Sequence, residues 1–318
     1  MVIERFNVAC FMLIAAGLVI AGLNVTIFFV SFNQIVFASP LEQNYGLWAS
    51  ADFQKPSPPE FLSELDLRAA DISLGGAEPF SLLRYHPNEV LPLASLTKLF
   101  SALVVLEENP DWSYVVTVGE EDWRGGAKPR ILPGDKLTVG DLWSLMLISS
   151  DNDATAALIR GLKLDEKKFV ERLNLFAVDL GLNNTHLVEP TGLSPDNVST
   201  ARDFAVIARL AFSKKEITEA LSLASEEVTI NDQKRLIYSS DQSFKLFKDW
   251  RVDGWAYIAG KTGYVAESGY NVALLGLGSG DEKVLAVILG NPTAENRLAF
   301  ADRLLKWSFT YIENTIDH

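Results

Sequence analysis

Pro92-Leu93-Ala94-Ser95-Leu96-Thr97-Lys98-Leu99 opens a run in which Leu99, Leu103 and Leu106 share one stripe and Asn109-Pro110 marks the stop. That spacing predicts a helix starting near Ser95. Residues three apart on a helix share a face, so Ser95 Oγ and the Lys98 amine can meet. A serine hydroxyl needs a base to become a nucleophile, and a lysine serves when burial or a nearby cation keeps it neutral. A serine in the first turn also lies over the positive end of the helix dipole. Alone, the same residues read equally as a helix cap and a solvated lysine, because Ser-x-x-Lys arises by chance in a chain of 318 residues.

Outward from this segment the chain changes character twice. On its N-terminal side, Leu65 to Leu74 and Phe80 to Tyr85 are short strands around Gly75-Gly76, which reads as a hairpin. On its C-terminal side, Val139 to Met146, Ala154 to Leu162, Glu166 to Leu180 (closed by Gly181) and Thr200 to Ala211 fit helices, the last with Ser199 as its expected cap. Strand patterns return at Trp255 to Thr262, Gly269 to Leu277 and Lys283 to Leu289, and an amphipathic helix runs from about Glu295 to Ile312. The order is strands, helices, strands, helix. The simplest packing joins both groups of strands in one antiparallel sheet, with the helical middle inserted as a lobe.

Composition narrows the chemistry. The net charge is −13, so phosphate backbones should be repelled and nucleic-acid binding is not expected. Cys10 is the only cysteine, which excludes intramolecular disulfides and Cys-X-X-Cys chemistry. Three histidines (His86, His186 and His318) occur without H-E-x-x-H or G-x-S-x-G. Val8 to Ala38 has no charged residue, and Val8 to Phe28 supplies the ~20 apolar residues that a membrane-spanning helix needs. Arg5 precedes the run, and no Lys or Arg lies between Ser39 and Gln54, which places the N-terminus inside and the body outside. A signal peptide cleaved after Val36-Phe37-Ala38 is the alternative. The expected organisation is thus an anchor over residues 1–38, a proline-containing tether over 39–62 and the main domain over 63–318.

Two further clusters bear on the Ser95 segment. Ser150-Asp151-Asn152 sits between two predicted helices, as an ordinary cap or as a hydroxyl and an amide able to relay a proton and hold a peptide bond. Lys261-Thr262-Gly263 ends a strand after Gly260. The glycines there let another chain approach, and the lysine and threonine suit a substrate carboxylate. Ser-x-x-Lys, Ser-Asp-Asn and Lys-Thr-Gly in this order form the combination shared by penicillin-binding proteins and class A β-lactamases.

The chain resembles the low-molecular-mass penicillin-binding proteins of the serine D-alanyl-D-alanine carboxypeptidase family, peptidase S11. Beyond the three motifs, Leu132 to Val139, Asn184 to Leu193, Gly260 to Asn271 and the terminal "RLLKWSFTYIE" carry the likeness, which extends from about Leu65 to the C-terminus. It implies a mixed α/β (α+β) DD-peptidase-like fold and cleavage of the terminal D-Ala-D-Ala bond of peptidoglycan stem peptides through a Ser95 acyl-enzyme. By the same resemblance, Lys98 is the base, kept neutral partly by the charge of Lys261, and Ser150 returns a proton to the leaving D-alanine. Asn152 binds the substrate backbone. The backbone N–H groups of Ser95 and Tyr264, beside Gly263, form the oxyanion hole. Lys261, Thr262 and Arg297 hold the terminal carboxylate, although Arg297 also reads as a surface residue early in the last helix. No metal or cofactor is implied, β-lactam antibiotics are expected inhibitors, and the body is expected on the extracytoplasmic face of the membrane.

Departures from the family pattern are Asp151, where Gly or Ala is usual, and Ala70 to Gly76 in place of Asp-x-x-Thr-Gly. The same residues would serve a D,D-endopeptidase. A β-lactamase, suggested by Ser150-Asp151-Asn152, lacks a fitting Glu-x-x-Leu-Asn, since Glu171-Arg172-Leu173-Asn174 is one residue short and lies mid-helix. A non-catalytic cell-wall binding protein is the third alternative.

Overall fold

A computed structural model describes residues 55–75, 80–126, 129–241, 243, 255–279 and 281–316. The expected anchor and the first part of the tether lie outside the described residues. Among the described residues no helix is long and apolar enough to cross a membrane.

The strands come from the two ends of the domain. Ala69–Leu74 (β1) and Ser81–Tyr85 (β2) form the expected hairpin. Short pairs follow at Leu91–Pro92 (β3), Val115–Thr117 (β4), Lys136–Thr138 (β5) and Val198–Ser199 (β6), and then a hairpin of Ser225–Ile230 (β7) and Gln233–Tyr238 (β8). Trp255–Val265 (β9), Gly269–Gly278 (β10) and Lys283–Asn291 (β11) complete the set. One five-stranded antiparallel sheet has the order β2-β1-β11-β10-β9, so the N-terminal hairpin and the C-terminal strands share a sheet as expected.

Alternation along β11 explains the layers. Leu285, Val287 and Leu289 belong to one apolar core and Val284, Ala286 and Ile288 to another, because successive side chains point to opposite faces. The second face is covered by the last helix, Ala294–Ile316, through Ala301, Leu304, Leu305, Phe309 and Ile312. The first face carries the helical lobe: Thr97–Glu107 (α1), Val139–Leu147 (α2), Asn152–Gly161 (α3), Glu166–Asp179 (α4), Ala201–Ser213 (α5) and Lys215–Ser222 (α6), with the last helix as α7. A sheet buried on both faces needs apolar residues at every position, and β1 meets this with two exceptions. Asp71 and Ser73 are buried but polar, and Arg84 and Arg209 supply their partners.

Local chemistry sets the helix starts. Thr138, Asp151, Asp165 and Thr200 cap α2 to α5 by accepting a backbone N–H three residues on. The cap of α5 is therefore Thr200, not Ser199: the chain stays extended through Thr200, and the Ser199 hydroxyl is paired with Thr185 instead. The serine-lysine helix is also later than expected. A 3-10 turn, Ala94–Leu96, holds Ser95, and α1 proper starts at Thr97.

Candidate active site

The turn that presents Ser95 is clamped from two sides. Asn271 Nδ2 of β10 donates to the carbonyls of Pro92 (2.9 Å) and Leu93 (3.2 Å). Gly192 lies beneath with a φ of +86°, and a Cβ there would collide with the Ala94 carbonyl. Only glycine fits both the backbone and the gap. A Cβ on Gly263 of β9 would stand 3.0 Å from the Leu93 oxygen and from the Ser95 nitrogen, so the edge strand passes hard against the same turn.

Lys98, on the first turn of α1, has no solvent exposure. Its Nζ reaches Ser95 Oγ at 3.1 Å, Asn152 Oδ1 at 2.7 Å and the Thr191 carbonyl at 2.6 Å. Burial lowers its pKa to about 8, against the carboxylates of Glu189 and Asp151, which raise it. Glu189 also builds the loop that offers Thr191, accepting from the N–H groups of Thr191 (2.7 Å) and Gly192 (2.6 Å) and from Asn197 Nδ2 (2.8 Å). His186, in the strand-like stretch before it, is exposed and paired to Val198 through backbone only, so it takes no part in the site.

Ser150 and Lys261 form the second pair. Ser150 adopts a φ of +57°, uncommon for a residue with a Cβ, and its Oγ receives the Lys261 Nζ at 2.8 Å. Lys261 is 1% exposed and donates also to the Thr262 carbonyl at 3.1 Å. Burial and, second, the charge of Lys98 push its pKa well down, with Asp241 acting the other way. The expectation that Lys261 keeps Lys98 neutral is corrected in its emphasis: burial is the leading cause at Lys98, and the repulsion is felt at Lys261.

Between the two lysines, Asn152 opens α3 with Oδ1 on Lys98 and Nδ2 on the Gly125 carbonyl at 3.2 Å. Asp151 acts on this cluster through its charge, which favours the protonated form of Lys98. It caps α3 through Ala154 N–H (2.9 Å) and faces Arg130 at 3.5 Å, which gives the unusual middle residue a local task.

Beyond Lys261, Thr262 is buried, while Tyr264 is 54% exposed and lies over Tyr270 with ring centroids 4.3 Å apart. Arg297 of α7 lies over the same Tyr270 ring at 5.6 Å and is only 6% exposed, so the surface reading of Arg297 is overturned. Its Nε is buried without a hydrogen-bond partner among the described residues. Serine, lysine and asparagine thus meet at one end of the β9 edge, and a lysine with an arginine lies along it. The Thr191 carbonyl, Glu189 and Asp241 were not marked by the sequence. The "EPTGL" stretch was a family likeness without an assigned role.

The sequence profile of the D-alanyl-D-alanine carboxypeptidase family, peptidase S11, matches residues 81–293, which hold every residue of the cluster except Arg297. The D-alanyl-D-alanine endopeptidase of Haemophilus influenzae is 29% identical over 229 residues, 71% of this chain and 76% of that protein. The D-alanyl-D-alanine carboxypeptidase DacC of Escherichia coli is 32% identical over 246 residues, 72% of this chain and 58% of that protein. Penicillin-binding protein 5 from Haemophilus influenzae has a similar structure, with a TM-score of 0.68 at 26% identity over 80% of this chain and 73% of that one. A mutant of the Streptomyces K15 DD-transpeptidase shares the fold, with a TM-score of 0.70 at 20% identity over 80% of this chain and all of that one. With its Ser95-Lys98, Ser150-Asn152 and Lys261-Gly263 clusters converging on one sheet edge, this chain belongs to the peptidase S11 family of D-alanyl-D-alanine carboxypeptidases, the low-molecular-mass penicillin-binding proteins.

Proposed function

We propose that this protein is a penicillin-sensitive serine D,D-carboxypeptidase that removes the terminal D-alanine from peptidoglycan stem peptides. The observation that carries the reading is the surroundings of Lys98 Nζ. A neutral amine has two N–H bonds and one lone pair. The Thr191 carbonyl (2.6 Å) and Asn152 Oδ1 (2.7 Å) can only accept, so they take the two hydrogens. The lone pair is left for the hydroxyl hydrogen of Ser95, 3.1 Å away. Geometry and acidity agree, since a base with a pKa of about 8 is part-neutral near physiological pH.

In the step this supports, Ser95 Oγ bonds to the penultimate D-alanine carbonyl carbon while its proton passes to Lys98. The oxyanion rests on the backbone N–H groups of Ser95 and Tyr264, in the gap that Gly263 leaves open. The C–N bond breaks as the leaving nitrogen takes a proton relayed through Ser150, which hydrogen-bonds Lys261. Water then attacks the ester, with proton transfer back through Lys98, and frees Ser95. The terminal carboxylate pairs with Lys261, Thr262 and Arg297, and its negative charge favours the protonated form of Lys261. The uncharged N-terminal run supports membrane attachment with the body on the extracytoplasmic side, where this substrate lies.

A D,D-endopeptidase is the second reading, favoured by the relative of that name, of which the alignment covers 76%. Incubation of residues 39–318 with benzylpenicillin, followed by intact mass, tests the chemistry. A lasting adduct of one penicillin, absent in Ser95→Ala, is expected. No adduct sinks the proposal, and rapid consumption of the drug moves it to a β-lactamase. Release of D-alanine from a pentapeptide, without cleavage of cross-linked dimers, separates carboxypeptidase from endopeptidase.

A further inference from the structure

The loop between α4 and β6 is built around one carboxylate. Glu189 Oε2 accepts from the Thr191 N–H at 2.7 Å and the Thr191 hydroxyl at 2.5 Å. Oε1 accepts from the Gly192 N–H at 2.6 Å, Asn197 Nδ2 at 2.8 Å and the Ser194 N–H at 3.3 Å. These five donors take up the lone pairs of both oxygens, so the acid holds the loop and is not placed to accept a proton from substrate or water. The loop in turn is fastened to the elements that carry Ser95 and Lys98. Ser101 Oγ of α1 donates to the Pro190 carbonyl at 2.7 Å, and Asn197 Nδ2 also reaches Thr97 Oγ1 at 3.2 Å. The Asn197 carbonyl accepts from the Leu93 N–H at 2.8 Å.

The peptide unit that joins Thr191 to Gly192 links this loop to the chemistry. In a planar trans unit the C=O and the N–H point to opposite sides. Here the N–H lies on Glu189 Oε1, and the carbonyl lies 2.6 Å from Lys98 Nζ. Fixing one end therefore fixes the other. Gly192, with a φ of +86°, would otherwise let the unit turn over at little cost, since glycine accepts either sign of φ. Asn152 Oδ1 is the other acceptor on Lys98, so the Thr191 carbonyl decides whether the lone pair of the neutral amine faces Ser95 Oγ or is rotated off it.

We propose that Glu189 is a positioning residue for acylation: by gripping the peptide unit between Thr191 and Gly192, it aims the Thr191 carbonyl at Lys98 Nζ and so turns the lone pair of the amine towards the Ser95 hydroxyl. The inference rests on the reading of Lys98 as the base.

Glu189→Gln tests it. An amide of the same shape has one accepting oxygen and one donating nitrogen, so it cannot serve the N–H groups of Thr191 and Gly192 together. The measurement is the rate of acylation by benzylpenicillin against pH for wild type and variant, with thermal unfolding of each. Loss of the Glu189 charge moves the rising limb to lower pH, with Asp151 left as the carboxylate that favours protonated Lys98 and Lys261 as the neighbouring cation. The level reached above that limb decides the question. It is expected to fall about tenfold to a hundredfold, the range for a misaligned reacting group. In D-alanine release, kcat and kcat/KM should fall together with KM unchanged. A folded Glu189→Gln protein with the wild-type level, whatever its midpoint, overturns the inference and leaves the peptidase reading intact, as does a change confined to KM. If that variant does not fold, Glu189→Asp decides. It keeps the charge but draws it back by one methylene, so a lowered level at a little-moved midpoint is expected, and the wild-type level overturns the inference. A wild-type protein that takes no penicillin overturns both readings.

Discussion

Lys98 Nζ is ringed by three oxygens, of which only Ser95 Oγ carries a hydrogen. With a pKa of about 8, the amine is largely protonated at pH 6 and gains its lone pair as the pH rises. Acylation by benzylpenicillin should therefore climb with pH and level off above about 8. A stopped-flow or mass profile flat between pH 6 and 8 would exclude Lys98 as the base. Lys98→Ala should lower the rate ~10²–10⁴-fold, the range for loss of a general base. The Ser95 and Lys98 pairing is legible in the sequence because a three-residue spacing on a helical turn is local. The Thr191 carbonyl is not, since it arrives from 93 residues away and any residue supplies a carbonyl.

The elements bring these residues together through close approaches rather than through special secondary structure. Gly263 lets β9 run against the Ser95 turn, with backbone atoms on the far side that cannot give way. Gly263→Val should cost about 1–3 kcal/mol through overpacking. The larger effect should be on acylation, lowered about tenfold to a hundredfold, since displacing β9 by roughly 1 Å spoils the position of the reacting carbonyl. A variant that loses stability but acylates at the wild-type rate would show that β9 does not align the substrate. Helices with a full apolar stripe, α1 to α5, are legible to within a few residues, as are β9 to β11. The β7–β8 hairpin is not. Glu226, Glu227, Lys234 and Arg235 sit in its two six-residue strands, and only Val228, Ile230 and Ile237 of those strands are buried, so its alternation is masked by charge. Its turn, Asn231-Asp232 with φ values of 51° and 61°, is the one local signal. At α5 the cap is misjudged by one residue because Ser199 and Thr200 both suit the role. Thr200→Ala should cost about 1 kcal/mol, measurable by urea unfolding, as it strips the acceptor from the Asp203 N–H.

For the whole molecule the active site is a load on stability, because two lysines are buried between the sheet and the helical lobe. The sign of that load with pH follows from Lys98. Its amine has an ordinary value of 10.5 in an open chain and about 8 in the fold. Below pH 8 both states hold the proton, and the fold carries the full penalty of a buried ammonium. Between about 8 and 10.5 the unfolded chain binds a proton that the folded chain has released, so stability rises with pH. The gap is worth about 3 kcal/mol when complete. Lys261, also depressed by burial, adds to the same trend. Lys98→Met replaces the amine with an unbranched apolar chain of similar length and removes this titration. It leaves the Thr191 carbonyl and Asn152 Oδ1 without their donor, so its stability at neutral pH reflects two opposed effects. Its pH dependence does not. From pH 7 to 10 the wild type should gain on Lys98→Met in urea unfolding by up to about 3 kcal/mol, less where the groups that titrate in both proteins cancel imperfectly. Parallel curves for the two proteins would mean that Lys98 titrates as an ordinary lysine in the fold. A base poised near pH 8 would then have to be sought elsewhere.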